Sequence, residues 1–304
     1  MKHPITWLRH AGQHLGLVPS LGGAVAAWQC EHAGERVDLW RPWDGETPDL
    51  YQLASFPMVP WSNRIAQGGF ELDGRFHPMQ PNRAGEPYPI HGDGWLQPWQ
   101  HDQDGEGAAT MALTSHHFGG DPYHYEATQR FRLVPGGLDQ SLHVRHLGDD
   151  PMPYGLGLHP WFPRTPGTTV QAPVQGLWTC GDDPIPTGHV ADIPADRDLS
   201  AGISAHGSLI DNAYSGWGGR ATIAWPERGL QLHVAMPQFE RDGGTAAHQC
   251  LVYRPPAHIA GFCFEPITHP INAFHMPGRP GLRVLARGET MEMAVQWRWK
   301  AAAA

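Results

Sequence analysis

Two stretches of this chain carry residues able to move protons. The first, Tyr154–Phe162, reads Tyr-Gly-Leu-Gly-Leu-His-Pro-Trp-Phe. Its apolar, glycine-spaced run reads as a strand that ends inside the protein at His159. Pro160 removes a backbone donor and stops a regular ladder there, and Trp161 and Phe162 supply an aromatic wall. An imidazole delivered into such a pocket suits proton transfer near neutral pH. The competing reading is a core histidine capped by a carbonyl. The second stretch, Gly261–Pro270, repeats the design as Gly-Phe-Cys-Phe-Glu-Pro-Ile-Thr-His-Pro. It sets Glu265 at the end of another apolar strand, again before a proline. A carboxylate and an imidazole placed this way would form an acid–base pair.

Further polar positions belong with these two. Asn63 and Arg64 follow an apolar entry in Pro60-Trp-Ser-Asn-Arg-Ile, His91 precedes a glycine turn in Pro89-Ile-His-Gly-Asp-Gly-Trp, and Asp211 follows two apolar residues in Leu209-Ile-Asp-Asn-Ala-Tyr. Singly, each has a bland explanation: a surface ion pair, a turn histidine and an Asx-turn. The chain has 13 tryptophans, and Trp61, Trp95, Trp161 and Trp217 lie beside candidate polar residues. Aromatic faces beside fixed polar groups suit a sugar ring, with its apolar C–H faces and polar rim. The 20 histidines raise the question of metal. No His-x-His, Cys-x-x-Cys or His-Glu-x-x-His spacing occurs, and His116–His117 would point to opposite faces of a strand. No metal site is expected.

The elements that must hold these residues read as strands. Gly and Pro punctuate the chain every few residues, as in a protein of many short strands and turns. Residues 5–9, 14–18 and 24–31 open it. Phe70–Phe76 alternates around Asp73-Gly74, a hairpin signal. Tyr123–Val134 turns at Pro135-Gly136-Gly137 and returns through His146. Ala221–Trp225 and Leu230–Val234 flank Glu227-Arg228-Gly229. Met291, Met293, Val295, Trp297 and Trp299 alternate with polar residues along a last strand with one buried face. No window has helical periodicity. Repeated hairpins without helices predict an all-β protein, a large antiparallel β-sandwich. The segment 181–207, rich in Asp, Pro and Ser, reads as a long surface excursion. No linker divides the chain, so residues 1–300 are expected to form one domain. The closing Ala301–Ala304 reads as an appended tail.

Composition excludes several classes. Hydrophobic residues make up 40% of 304, ample for a core, and no apolar run approaches the ~18 residues of a spanning helix. The N-terminal segment, with His, Arg and Gln through its middle, does not read as a signal peptide. Net charge is −9, with Lys2 and Lys300 the only lysines, so there is no basic stripe for nucleic acid. Cys30, Cys180, Cys250 and Cys263 are far apart and read as reduced thiols, consistent with a cytoplasmic protein.

The set Asn63-Arg64-Ile65, His91-Gly92, His159-Pro160-Trp161-Phe162, Asp211-Asn212-Ala213-Tyr214 and Glu265-Pro266 resembles the aldose 1-epimerase (galactose mutarotase) family, in order and rough spacing from about residue 15 to 297. The resemblance implies a galactose mutarotase-like supersandwich, no cofactor, an aldose as the small-molecule partner, and a monomer or homodimer. It implies Glu265 as the base that takes the anomeric hydroxyl proton and His159 as the acid that protonates the ring oxygen. His91 becomes a second donor near that oxygen. Arg64, Asp211, Asn63 and Trp161 would bind the sugar, and Gln249–Pro256 resembles the region lining the sugar site. Two departures stand out. The galactose-type pattern has Tyr and then Asn after the His-Pro pair, where this chain has Trp161 and Pro163-Arg164, and Gly92-Asp93-Gly94 replaces a plain double glycine.

Three other readings stay open. The substrate could be an anionic sugar, a hexose 6-phosphate or a sulfonated hexose, held by arginines such as Arg83, Arg164, Arg254 or Arg279. A non-catalytic carbohydrate-binding sandwich would need only an aromatic platform, and it leaves His159 and Glu265 unexplained. A glycosidase would use two carboxylates, with Asp211 and Glu265 the candidates, and gives His159 no role.

Overall fold

A computed structural model describes residues 3–47, 49–237, 240–241, 244–245 and 248–302. Among them there is no α-helix; the helical pieces are three-residue 3₁₀ turns. Two large sheets carry the fold. One has nine strands in the spatial order Ile203–Ser204, Thr169–Gln171, Arg220–Trp225, Leu230–Ala235, Thr290–Ala301, Gly137–His146, His124–Val134, Ala108–His116 and Gln100–Gln103. The other has eight and runs Pro186–Val190, Gly176–Cys180, Ile210–Trp217, His248–Arg254, Phe262–Ile267, Gly157–Leu158 and Pro57–Met58, with Trp161–Phe162 also paired to Phe262–Ile267. All these pairings are antiparallel. A four-stranded sheet of residues 6–40 adds Trp28 and Trp40, which meet edge to face at 5.2 Å, and Trp40 meets Trp297 the same way at 5.2 Å.

Alternation builds both layers at once. Along Thr290–Ala301, Met291, Met293, Val295 and Trp297 are buried while Thr290, Glu292 and Gln296 are exposed. Each buried large side chain contributes roughly 1.5–3 kcal/mol of transfer free energy. In the eight-stranded sheet one face (Tyr214, Cys250, Val252, Phe262, Phe264) joins the main core. The opposite face carries Ala213, Leu251 and Ile267, which pack with Phe56, Ile90 and Trp95 in a second cluster. Glu265, two residues from Ile267 on the same strand, points to this second face.

Two expectations need correcting. The strand holding Glu265 does not end before Pro266: it runs Phe262–Ile267, with Pro266 opposite Cys250. The excursion at 181–207 contains Pro186–Val190, paired to Gly176–Cys180, and the edge strand Ile203–Ser204. At the chain end, Ala301 continues the last strand and pairs with Leu230.

Candidate active site

The cleft-facing side of the eight-stranded sheet sets the candidate residues in rows. Leu251 lies opposite Glu265, Tyr253 opposite Cys263 and Asp211 opposite Tyr253. Side chains two apart on a strand share a face, so Glu265 and Cys263 both point away from the core that takes Phe262 and Phe264. His159 stands in the break between Gly157–Leu158 and Trp161–Phe162, where Pro160 interrupts the ladder. Its amide donates to the Phe56 carbonyl at 3.0 Å. Its ring is stacked between Phe56 (centroids 4.4 Å apart) and Trp161 (5.9 Å). These contacts bring His159 Nε2 to 3.5 Å from Glu265 Oε1, both side chains buried. A cleft of about 730 Å³ opens over them, lined also by Asn63, Arg64, His91, Trp161 and Asp211.

The loops that close one side are held by backbone conformation. Asn63 and His91 both adopt left-handed φ, at 55° and 60°, a conformation unfavourable for non-glycine residues unless surroundings enforce it. Here they enforce each other. The His91 amide donates to the Asn63 carbonyl at 3.0 Å, and the Asn63 amide donates to His91 Nδ1 at 3.1 Å. A backbone N–H can only donate, so Nδ1 is the acceptor and Nε2 carries the His91 proton. Gly92 then passes so close to Val59 that a Cβ there would sit 2.1 Å from the Val59 carbonyl oxygen. Asp93, in place of a second glycine, anchors the turn from below. Its carboxyl accepts from Tyr125 and Gln97 at 2.6 Å each, and from Ser115.

Arg64 is an internal ion pair, not a surface one. Its Nε and one terminal nitrogen grip Glu86 at 3.1 and 3.0 Å, the two-pronged geometry of the strongest such pairs. The other terminal nitrogen reaches Asp211 Oδ2 at 3.4 Å and Asn63 Oδ1 at 3.3 Å. Asp211 is thereby tied to the far wall of the cleft.

Burial sets the electrostatics. It raises the Glu265 carboxyl well above the usual glutamate range, with Asp211 adding to the rise and Arg64 opposing it. It lowers His159 to about 3, and the charges of Arg41 and Arg83 act in the same direction. It lowers His91 well below the usual histidine value, with His159, Arg64 and Arg83 contributing. Asp211 is raised, again by burial first, with Arg64 working against it. The opposed shifts favour an uncharged arrangement of the pair, a neutral imidazole beside a protonated carboxyl, and His91 is a neutral Nε2–H donor.

Asn63, Arg64, His91, His159, Trp161, Asp211 and Glu265 all line this cleft. Arg164 does not. Its guanidinium donates to the carbonyls of Ala205, Pro255, Pro256 and Ile259 at 3.1, 3.2, 2.8 and 2.6 Å. It pins from behind the loop whose His258 and Ile259 line the cleft. Trp61, Trp95 and Trp217 are core residues; of the four tryptophans named, only Trp161 faces the cleft. The stretch 249–256 contributes Leu251 and Tyr253. Arg41 and Tyr51 were not foreseen. Arg41 lies 4.0 Å over the Trp161 ring and donates to the carbonyls of Ala260, at 3.0 Å, and Tyr51. An arginine set between Trp40 and Trp43 was an available signal for it; Tyr51 had none. Arg83 stands at the rim, 3.6 Å over the Tyr51 ring.

Known proteins resemble this chain along most of its length. The family profile described as aldose 1-epimerase matches residues 8–298. The uncharacterized Escherichia coli K12 protein YphB is 31% identical over 256 residues, covering 80% of this chain and 83% of YphB. A crystal structure from E. coli K12, described as a candidate aldose 1-epimerase, superposes with a TM-score of 0.88 at 25% identity, covering 98% of this chain and 99% of the other. A galactose mutarotase-like protein from Clostridium acetobutylicum shares the fold, with a TM-score of 0.82 at 17% identity over 98% and 96% of the two chains.

Proposed function

Because the chain belongs to the aldose 1-epimerase family, we propose that it interconverts the α- and β-anomers of an aldohexose by acid–base ring opening, with Glu265 as base and His159 as acid. The observation that carries this reading is the 3.5 Å contact between a buried imidazole and a buried carboxyl on the floor of a cleft large enough for a monosaccharide. Hemiacetal opening needs one proton taken from the anomeric hydroxyl and one given to the ring oxygen. In the reactive arrangement the pair's single proton is on His159. Glu265 accepts the hydroxyl proton while His159 releases its own to the ring oxygen. The product is the open aldehyde beside a protonated carboxyl and a neutral imidazole, the uncharged arrangement that burial favours. After rotation about C1–C2, closure runs the same transfers backwards onto the other face. His91 Nε2–H is a second donor to the ring oxygen. Arg64 and Asp211 hold sugar hydroxyls, and Trp161 offers a face to the ring's C–H groups. A binding platform alone would not require the His159–Glu265 contact.

The test is polarimetry on freshly dissolved α-glucose and α-galactose. Wild type should speed the approach to equilibrium, and Glu265→Gln and His159→Asn should each lose on the order of 10²–10⁴ in rate with unchanged melting temperature. Full activity in folded Glu265→Gln, or no acceleration by wild type, would defeat the assignment. One observation favours an anionic sugar as a second reading: Arg83, at the rim, has no carboxylate partner among the described residues. On that reading a hexose 6-phosphate is turned over with a lower KM than the neutral hexose, and Arg83→Ala removes the difference.

A further inference from the structure

Cys263 is a buried thiol that the reaction above does not use, and it shares a face with Glu265. The ligand atoms of His159, Cys263 and Glu265 all lie within 4.8 Å of one another, and all three side chains are buried. Two strand relations bring this about. Cys263 and Glu265 are two apart on one strand, and Trp161 pairs with Cys263, which places His159 alongside. No sequence spacing would have announced the trio, because one member lies more than a hundred residues from the other two.

We propose that His159, Cys263 and Glu265 bind one thiophilic divalent cation of the zinc–cadmium class, and that occupancy disables the acid–base pair; only this second half rests on the activity proposed above. Imidazole, thiolate and carboxylate are the three side-chain donors zinc takes, at about 2.0–2.3 Å, and a three-ligand site leaves a fourth position open to the cleft. Ligand atoms around such an ion are about 3.5 Å apart, so closure asks for shifts of about 1 Å. His159 can make that shift. It is held by ring stacking, and its Nδ1 is buried with no hydrogen-bond partner. One thiolate, one carboxylate and a neutral imidazole cancel the dication's charge, which a buried site requires. The charged and titratable groups facing the trio are Arg41, Tyr51, Arg64, Arg83, Asp211, His91 and Tyr253. Burial favours the protonated form of both the Cys263 thiol and the Glu265 carboxyl. Binding breaks one S–H and one O–H bond, forms metal–sulfur, metal–oxygen and metal–nitrogen bonds, and releases two protons to solvent without any redox change.

The experiment is titration of the full chain with Cd²⁺, read by ultraviolet thiolate-to-cadmium charge-transfer absorbance and by calorimetry. Wild type should show the band with one ion per chain and about two protons released. Cys263→Ser should lose the band, with Cys263→Ala serving if the serine variant does not fold. Cys180→Ser, at the half-buried cysteine that is not one of the trio, should keep it. His159→Asn and Glu265→Gln should each weaken binding at least tenfold. A band that survives in folded Cys263→Ser or Cys263→Ala, no band in wild type at millimolar Cd²⁺, or undiminished affinity in both His159→Asn and Glu265→Gln would overturn the site. Because these readouts need no turnover, a protein that binds Cd²⁺ as expected but never speeds mutarotation refutes the proposed activity and keeps the site; loss of sugar turnover on Cd²⁺ addition tests the second half.

Discussion

Glu265 and His159 are shifted in opposite directions, and this fixes how the proposed activity should respond to pH. The one-proton state of the pair persists from about pH 3, where His159 gains a second proton, up to the raised value at which Glu265 loses its own. Since kcat/KM reports the free enzyme, it should not fall for a neutral aldose as pH goes from 7 to 5, because His159 stays neutral there. An ordinary imidazole, near 6.5, would take up its proton in that interval. Polarimetric rates across it provide the check, and a tenfold fall on the acid side would contradict the one-proton pair. Asp211 is the residue whose sequence reading changed most. An Asx-turn was the bland alternative, but its carboxyl is instead bound to Arg64, itself clamped by Glu86.

The turn 91–94 shows how an element without regular structure can be as exacting as a strand. At Gly92, φ is +71° and the space where a Cβ would go is filled by the Val59–Pro60 backbone. Gly92→Ala should therefore displace His91 and the Asn63 amide that fixes its tautomer. The expected result is a fall in kcat on the order of 10²-fold, the size of one lost proton-transfer contact, with a lower melting temperature. An alanine variant with wild-type rate and stability would show that the loop yields freely. The histidine–glycine pair was legible in the sequence; the reason for the glycine was not, because Val59 arrives from another loop. The same division holds elsewhere. The strand Thr290–Ala301 could be read from its own alternation, since the pattern that forms it is local. Arg164 could not be placed, because its four carbonyl partners lie 41 to 95 residues away. Glu265 was found as a residue although its strand was drawn too short, because the proline signal outweighed pairing with Gln249–Tyr253. Chemistry-bearing residue types survive an error in element boundaries; contacts made across loops leave no local trace.

Across the whole molecule, stability should weaken on the acid side through buried histidines, and His269 offers the cleanest case. Its Nε2 accepts from the Ser62 amide at 3.0 Å, and its Nδ1–H donates to the Pro270 carbonyl at 2.8 Å. Both nitrogens are satisfied only in the neutral ring, and burial lowers its pKa to about 4. The folded value lies below the unfolded one of about 6.5, so the unfolded chain binds the extra proton. The stability His269 contributes is complete above pH 6.5 and declines as pH falls towards 4, by on the order of 3 kcal/mol. Urea unfolding at pH 7 and pH 4 should show the difference between wild type and His269→Gln shrinking by about that amount; an unchanged difference would rule out His269 as a source of acid sensitivity. The two-faced strand Phe262–Ile267 has a last consequence, in the order of events in time. Phe264 seals the core and Glu265 meets His159 only when distant segments have zipped onto that strand from both sides, His248–Arg254 on one and Gly157–Leu158 with Trp161–Phe162 on the other. Such long-range pairings form late in folding because loop closure must come first. During refolding, the recovery of sugar turnover should therefore trail the burial of tryptophan, and the delay between the two signals would time the closing of the eight-stranded sheet.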